Sequence, residues 1–268
     1  MKIILSRKGF DSSNGGCASP IMPDGTLLSM PIPSSDTDSF SDLCWNDTKY
    51  SEILSDLHPN KAYGGCHIDP DIRANNRVAQ IRNWSPAFGQ KGAAQGVLKN
   101  AGVEAGDIFL FFGWFRHVER TDKGYRYVRK NSGDFYTCAD MNIIYGYMQV
   151  GEILTNPDKI AKYSWHPHSS KRRLSSPSNA LYLPTDKLSI APSIKGWGTL
   201  DFRKDRVLTM EGKGRSTWNE YEFLMPDHIY GNKKNSAKGA GLYYCGIWQE
   251  LVVFESDGLM EWVKGILT

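Results

Sequence analysis

Two apolar runs decide how this chain folds. The first is Gly106-Asp107-Ile108-Phe109-Leu110-Phe111-Phe112-Gly113-Trp114-Phe115. The second spans residues 142–154 and contains Tyr145-Gly146-Tyr147-Met148-Gln149-Val150-Gly151-Glu152-Ile153. Both have the bulk expected of buried strands. Between them lie a polar loop at 120–124 and a short aromatic strand at 125–128. This unit reads as neighbouring strands of a twisted sheet or barrel. Working outward, residues 2–6, 181–183, 206–210 and 242–254 read as further strands. Residues 51–57, 87–101 and 257–267 read as helices, the last one amphipathic, with Gly102 as the stop of the second. Residues 8–47 are crowded with Gly, Pro, Ser and Asp and read as a long loop. Residues 164–179, rich in Ser, Pro and cations, read as an exposed loop. Strands outnumber helices and do not alternate with them, which argues against a doubly wound parallel sheet. The expected class is α+β, built on a curved mixed or antiparallel sheet or partial barrel. No segment has the composition of a linker, so residues 1–268 are expected to form a single domain.

Composition narrows the function classes. Of 268 residues, 40% are hydrophobic and 23% charged, which excludes a chain disordered throughout. The longest apolar run is too short to cross a bilayer as a helix, and residues 1–5 do not make a signal peptide. The expectation is a cytoplasmic protein without a membrane partner. Five cysteines, Cys17, Cys44, Cys66, Cys138 and Cys245, lack any C-x-x-C spacing, so neither a disulfide framework nor a zinc ribbon is expected. The net charge of +3 hides a sorted distribution. Residues 1–71 hold 5 basic and 10 acidic side chains, and residues 159–215 hold 12 basic and 4 acidic. A basic stretch attracts phosphates at long range, or is simply a solvated face. The 8 Trp, 13 Tyr and 11 Phe are mostly core material, and they also suit a site that stacks a base.

Five constellations could carry chemistry. Ser6-Arg7-Lys8-Gly9-Phe10-Asp11-Ser12-Ser13-Asn14-Gly15-Gly16 places cations, an acid, hydroxyls and glycines where a strand ends. Its backbone could approach a phosphate, although the P-loop spacing is absent, or Asp11 could cap a turn. Gly64-Gly65-Cys66-His67-Ile68-Asp69-Pro70-Asp71 brings one imidazole and two carboxylates within five residues. In an extended chain His67 and Asp69 share a side, as a metal site or an acid/base pair requires. Asp71 could instead cap a short helix. Trp165-His166-Pro167-His168, followed by Lys171-Arg172-Arg173, sets two imidazoles in a basic stretch. An extended His-x-His presents both rings to a metal or phosphate, with His67, Asp69 and Asp71 as further donors. Gly212-Lys213-Gly214-Arg215-Ser216-Thr217-Trp218 offers a guanidinium for a phosphate and an indole for a base, or a turn whose Trp218 joins the core. At the end of the first apolar run, Arg116 and His117 could enter a pocket while Trp114 packs or stacks. Gln90 and Gln149 are weaker candidates for reading a base edge. The signatures of serine hydrolases, zincins, Rossmann enzymes and zinc deaminases are absent.

These motifs together resemble the third of the families called nucleotide modification associated domain. The resemblance runs through the 6–16 motif, Pro20-Ile21, Pro31-Ile32-Pro33, His67-Ile68-Asp69-Pro70-Asp71, both apolar runs, His166-Pro167-His168, Asn179-Ala180-Leu181-Tyr182 and Arg215-Ser216-Thr217-Trp218. It implies association with DNA base modification systems of phages and bacteria, and hence a nucleotide or base ligand, without supplying a reaction. Inside it, the helix before Gly106-Asp107 and the two apolar runs are similar to the barrel of PUA-like modules, which hold RNA or a modified base. The long N-terminal loop and the last hundred residues depart from that pattern.

The resulting expectation is an enzyme of nucleotide or nucleic-acid base modification. Arg7, Lys8, Arg215 and Arg172 would hold the nucleotide's phosphates, Trp114 or Trp218 its base, and Ser12, Arg116 and Ser216 would join them in binding the nucleotide. Asp11, His67, Asp69, Asp71, His166 and His168 would supply proton transfer or a metal site of unknown identity. The cofactor is likewise unknown. The partner is a nucleotide or nucleic acid, with other proteins of a modification system as further candidates. The alternative is a non-catalytic PUA-like reader of a modified base in DNA or RNA.

Overall fold

Side chains along the first apolar run alternate between two apolar layers, so the strand is buried on both faces. In the computed structural model, which describes residues 1–36, 38–130, 132–231, 242–244, 246 and 248–268, nine strands form one curled mixed sheet. They are β1 (Ile3–Arg7), β2 (Ser19–Ile21), β3 (Phe88–Gln90), β4 (Ile108–Thr121), β5 (Gly124–Tyr127), β6 (Met141–Leu154), β7 (Ala180–Pro184), β8 (Trp197–Thr199) and β9 (Glu250–Val253). The main order is β9-β1-β4-β6-β7-β3, with β2 and β5 on β4 and β8 on β6. β1 and β4 are parallel, with Ile3 opposite Ile108 and Arg7 opposite Phe112. β4 and β6 are antiparallel, and their register shifts between Ile144 and Gly146. Such a bulge strengthens the local twist and helps a sheet curl. The class is α+β, as the sequence pattern indicates.

Ile3, Leu5, Ile108, Leu110 and Phe112 face one core, which the C-terminal helix Asp257–Leu267 closes with Leu259, Val263 and Ile266. Ser256 caps that helix by accepting the Leu259 N–H at its hydroxyl. Ile4, Phe109, Phe111 and Phe115 face the other core, with Leu98 of the helix Gly92–Asn100. Here Phe88 packs edge-on against Phe109 and Phe111 at centroid distances of 4.9 and 5.2 Å.

A parallel pair cannot be joined by a hairpin, so the chain between β1 and β4 must cross over. That crossover carries half of the site described below. Its first part is turn-rich as read, yet it is packed. Phe10, Met22, Leu28, Met30 and Phe40 form a third apolar cluster with Ile53 and Leu54 of the helix Tyr50–Leu57. The crossover also contributes β2, which lies parallel to β4 with Ser19 opposite Phe115.

Four local expectations are corrected. Residues 87–101 are not one helix: Phe88–Gln90 pairs with β7, and the helix begins at Gly92. The aromatic pocket beneath Phe88 outweighs helix continuation. Residues 206–210 form no strand; Arg206 ends a single 3-10 turn, Lys204–Arg206, and Val207 and Thr209 beyond it make isolated bridges. Residues 164–179 are not an exposed loop, since His166, Pro167, His168, Arg173 and Asn179 are all buried. The strand expected over 242–254 falls as Leu242–Tyr243 and β9, and residues 245 and 247 between them lie outside the described residues. Cys17, Cys44, Cys66 and Cys138 are free thiols, while Cys245 is not among the described residues. Among the described residues no helix is long and apolar enough to cross a membrane.

Two stability tests follow from this packing. Leu110 is fully buried in the central strand, so Leu110→Ala should cost about 2–5 kcal/mol, read as a lower urea midpoint at unchanged m-value. Asp71 is fully buried, and both its oxygens accept from Arg77, at 3.1 and 2.8 Å. Asp71→Ala would strand the guanidinium and should cost about 3–5 kcal/mol in the same measurement.

Candidate functional site

Asp69 is the centre on which four segments converge. It follows the two-residue strand Cys66–His67, which pairs with Ile32–Pro33 so that His67 lies opposite Ile32. Two residues on, the backbone of Asp71 exchanges hydrogen bonds with Ala87 at 2.9 and 3.1 Å, which lays this segment beside β3. The period of two then puts His67 and Asp69 on a common side, with His67 Nε2 3.5 Å from Asp69 Oδ2. Gly89 of β3 donates its N–H to Asp69 Oδ1 at 2.8 Å. A Cβ at Gly89 would come within 2.3 Å of the His168 ring, so only glycine permits this approach.

The second pair of imidazoles arrives differently from the extended His-x-His expected. Pro167–Ser169 is a 3-10 turn, and His166 caps it, its Nδ1 accepting the His168 N–H at 3.2 Å. Both rings nonetheless reach Asp69: His168 Nε2 lies 3.5 Å from Oδ2 and His166 Nε2 3.6 Å from Oδ1. A second layer fixes the rings. His67 Nδ1 donates to Asp36 Oδ2 at 2.8 Å, and Arg173 grips both oxygens of Asp36 at 2.6 and 2.9 Å while also donating to the Pro167 carbonyl. Asn179 accepts from His168 Nδ1 at 2.7 Å and donates to the His168 carbonyl at 3.1 Å. One ligand atom each from His67, Asp69 and His168 lie within 4.8 Å of one another, the spacing of a metal-ligand set, and both Nε2 atoms stand 3.5 Å from Asp69 Oδ2.

The electrostatics follow from burial and these partners. Burial works to raise the Asp69 pKa, but the surrounding imidazoles outweigh it and hold the carboxyl well below its usual range. Burial likewise opposes ionisation of Asp36, and hydrogen bonds from His67, Arg173 and Ser34 overcome it, lowering its pKa. For His67 burial disfavours the imidazolium, yet Asp36 and Asp69 raise its pKa overall. For His168 burial prevails over Asp69, and the pKa falls, so this ring stays neutral.

A cleft of about 340 Å³ opens on this cluster. His67, Asp69 and His168 line it together with Arg7, Lys8, Asp11, Gln90, Lys91, Arg172 and Arg173. The buried Glu250 accepts at Oε1 from two lining residues, Lys8 and Gln90, and from Ser6, tying β1, β3 and β9. Arg7, Asp11 and Asn14 also line an adjoining cleft of about 410 Å³, whose other walls include Ser12, Trp114, Arg215 and Ser216. There Arg215 lies over Trp114 at 4.0 Å and donates to Ser12 at 2.9 Å.

Thus the structure gathers Arg7, Lys8, Asp11, His67, Asp69, His168 and Arg172 around one cleft, and Ser12, Trp114, Arg215 and Ser216 around its neighbour. His166 sits behind Asp69 and is fully buried. Three expected site residues are placed elsewhere. Asp71 turns its carboxylate to Arg77 and Trp84. Trp218 is core, stacked on Tyr244 at 4.5 Å. Arg116 lies over Tyr127 and donates to the Val128 carbonyl. In each case a buried or aromatic partner nearby competes successfully for the side chain. Asp11 lines the cleft, but its oxygens accept from Ser13, Asn14 and Arg7, which makes it a turn cap. Gln149 is occupied by Gly106 and Ser189 rather than open to a base. Asp36, Gly89 and Glu250 were not singled out from sequence, whereas Arg173 and Asn179 stood in quoted motifs, the basic run after His168 and Asn179-Ala180-Leu181-Tyr182, without being given a role in the site.

No curated protein and no solved structure matches the chain. Residues 2–252 match the family described as nucleotide modification associated domain 3. That span contains every segment that builds the cleft, from Arg7 through the histidine pairs to Glu250. The chain belongs to the nucleotide modification associated domain 3 family.

Proposed function

We propose that the protein is an enzyme of nucleotide or nucleic-acid base modification that works in the cleft over Asp69. The observation that carries this reading is the pairing of a buried ionised carboxylate and imidazoles with a wall of cations in one opening. A module that only binds needs the cations and a flat surface for the base. It has no use for an anion buried against three imidazoles, an arrangement suited to moving protons or holding an electrophile. Family membership points to a nucleotide context and leaves the reaction open.

The side chains divide by task. Arg172 and Lys91 line the cleft and, among the described residues, make no ion pair, so their charge is available to a phosphate. Arg7 and Lys8 are already paired with Asp11 and Glu250, and would exchange those partners for substrate. The Arg215–Trp114 pair in the adjoining cleft offers a base a guanidinium and a ring to stack on. His67, Asp69 and His168 stand where the reacting group would sit, with His166 supporting Asp69 from behind.

Replacing Asp69 by Asn keeps the shape and removes the charge. In a host carrying the modification system, Asp69→Asn should lower modified-nucleoside formation by about 10²–10⁴-fold, measured by mass spectrometry of digested nucleic acid. An unchanged profile with the protein folded would overturn the enzymatic reading. Salt-dependent binding to modified DNA or RNA with no turnover in any nucleotide or polymer would establish the reader instead. Arg172→Ala should weaken binding of the phosphate-bearing ligand at low salt. With a polymer ligand, it should also reduce the slope of log affinity against log salt by about 1.

A further inference from the structure

We propose that His67 Nε2, Asp69 Oδ2 and His168 Nε2 form a binding site for one divalent transition-metal ion. The argument begins with where the protons are. Asp36 is an ionised carboxylate held by Arg173, so His67 Nδ1 must be the donor in their 2.8 Å contact. Asn179 spends its amide N–H on the His168 carbonyl, so its oxygen faces His168 Nδ1, which is again the donor. With Nδ1 protonated in each ring, Nε2 is the nitrogen left to bind a cation: on His168 it carries the lone pair, and on His67 it does so once the second proton is given up, as metal binding requires. Both Nε2 atoms face the same anionic oxygen, Asp69 Oδ2, from 3.5 Å. That distance is too long for a good hydrogen bond. Three such atoms facing one another in a buried place call for positive charge between them, and a metal ion in place of the His67 proton supplies it to all three at once.

The spacing suits such a cation. Ligand atoms about 2.0–2.2 Å from a tetrahedral ion stand about 3.4 Å apart. The two measured edges are 3.5 Å, and all three donor atoms fall within 4.8 Å of one another. Each donor also has the outer partner that metal ligands have: Asp36 behind His67, Asn179 behind His168, and the Gly89 N–H on the second oxygen of Asp69.

His166 is the independent sign that this group is built around Asp69. Its Nδ1 accepts from the His168 N–H, so its own proton is on Nε2. Among the described residues that buried atom has no hydrogen-bond partner, and it lies 3.6 Å from Asp69 Oδ1. It thereby turns Oδ2 toward the other two rings. His166 is thus a positioning residue and not a ligand. Two imidazoles and one carboxylate favour Zn²⁺, Fe²⁺, Co²⁺ or Mn²⁺ over Mg²⁺ or Ca²⁺, which prefer all-oxygen shells. Three protein donors leave coordination positions open toward the cleft, where a substrate atom or water can enter.

The site stands on this geometry whether or not the enzymatic reading holds, and its test reads metal and not turnover. The full chain is stripped with chelator and titrated with Co²⁺, following visible absorption. One equivalent should bind with d–d bands, Zn²⁺ should displace it, and a hundredfold excess of Mg²⁺ should not. His67→Ala and His168→Ala should each weaken Co²⁺ binding at least about 100-fold, while His228→Ala leaves it unchanged. Protein purified without chelator and analysed by mass spectrometry for metals identifies the native ion. Absence of saturable Co²⁺ binding to the unmutated chain would sink the proposal without recourse to any variant. So would undiminished binding by both His67→Ala and His168→Ala, or equal competition from Mg²⁺. Loss of nucleoside modification in Asp69→Asn with no metal bound by the natural chain would leave an acid/base enzyme and remove the metal.

Discussion

The buried charge of Asp69 is the constraint around which this protein is arranged. An isolated carboxylate taken out of water costs several kcal/mol, so a fold that keeps one must surround it with donors or cations. Here the surroundings come from four places in the chain: His67 beside it, the Gly89 amide from an edge strand, the His166–His168 turn, and the Asp36–Arg173 clamp that joins that turn to the His67 strand. Asp36, the His67–Asp69 segment, Gly89 and the stretch 166–173 lie apart from one another in sequence. The curled sheet brings them together, because the crossover from β1 to β4 and the connection after β6 both return to the β3 edge.

The scaffold and the site share particular residues. Phe88 fills the aromatic layer beneath β4, and its neighbour Gly89 donates to Asp69. Gln90, next along, lines the cleft and donates to the buried Glu250. One three-residue edge strand thus serves the core, the centre and the cleft wall. The same economy explains why the cations differ in availability. Arg7 and Lys8 end a buried strand and are held by acids, whereas Arg172 and Lys91 lie at the rim and face solvent. A phosphate approaching from outside meets the rim charges first.

Several features were open to a reader of the chain. Strand length and apolar bulk identified β4 and β6, and helical spacing identified the C-terminal helix, since each element buries a continuous face whose period is written in consecutive residues. The two histidine motifs were visible as unusual clusters. Asp36, Gly89 and Glu250 were not, since an isolated Asp, Gly or Glu has many ordinary uses and acquires this one from its neighbours in space. Trp218 and Asp71 misled for the converse reason. Both stand in motifs rich in polar residues, and both are claimed by other side chains of the fold, Tyr244 and Phe112 for the indole and Arg77 for the acid.

Local chemistry therefore specified the α+β class, the two long strands, the terminal helix and the membership of His67, Asp69, His166 and His168 among the residues worth watching. The choice between His166 and His168 as facing or backing Asp69 came from packing, because it turns on which nitrogen carries the proton, and that is set by Asn179 eleven positions away and by a 3-10 turn that Pro167 begins. Short-range periodicity is a property of neighbours along the chain. The orientation of a buried ring is a property of whatever the folded sheet places against it.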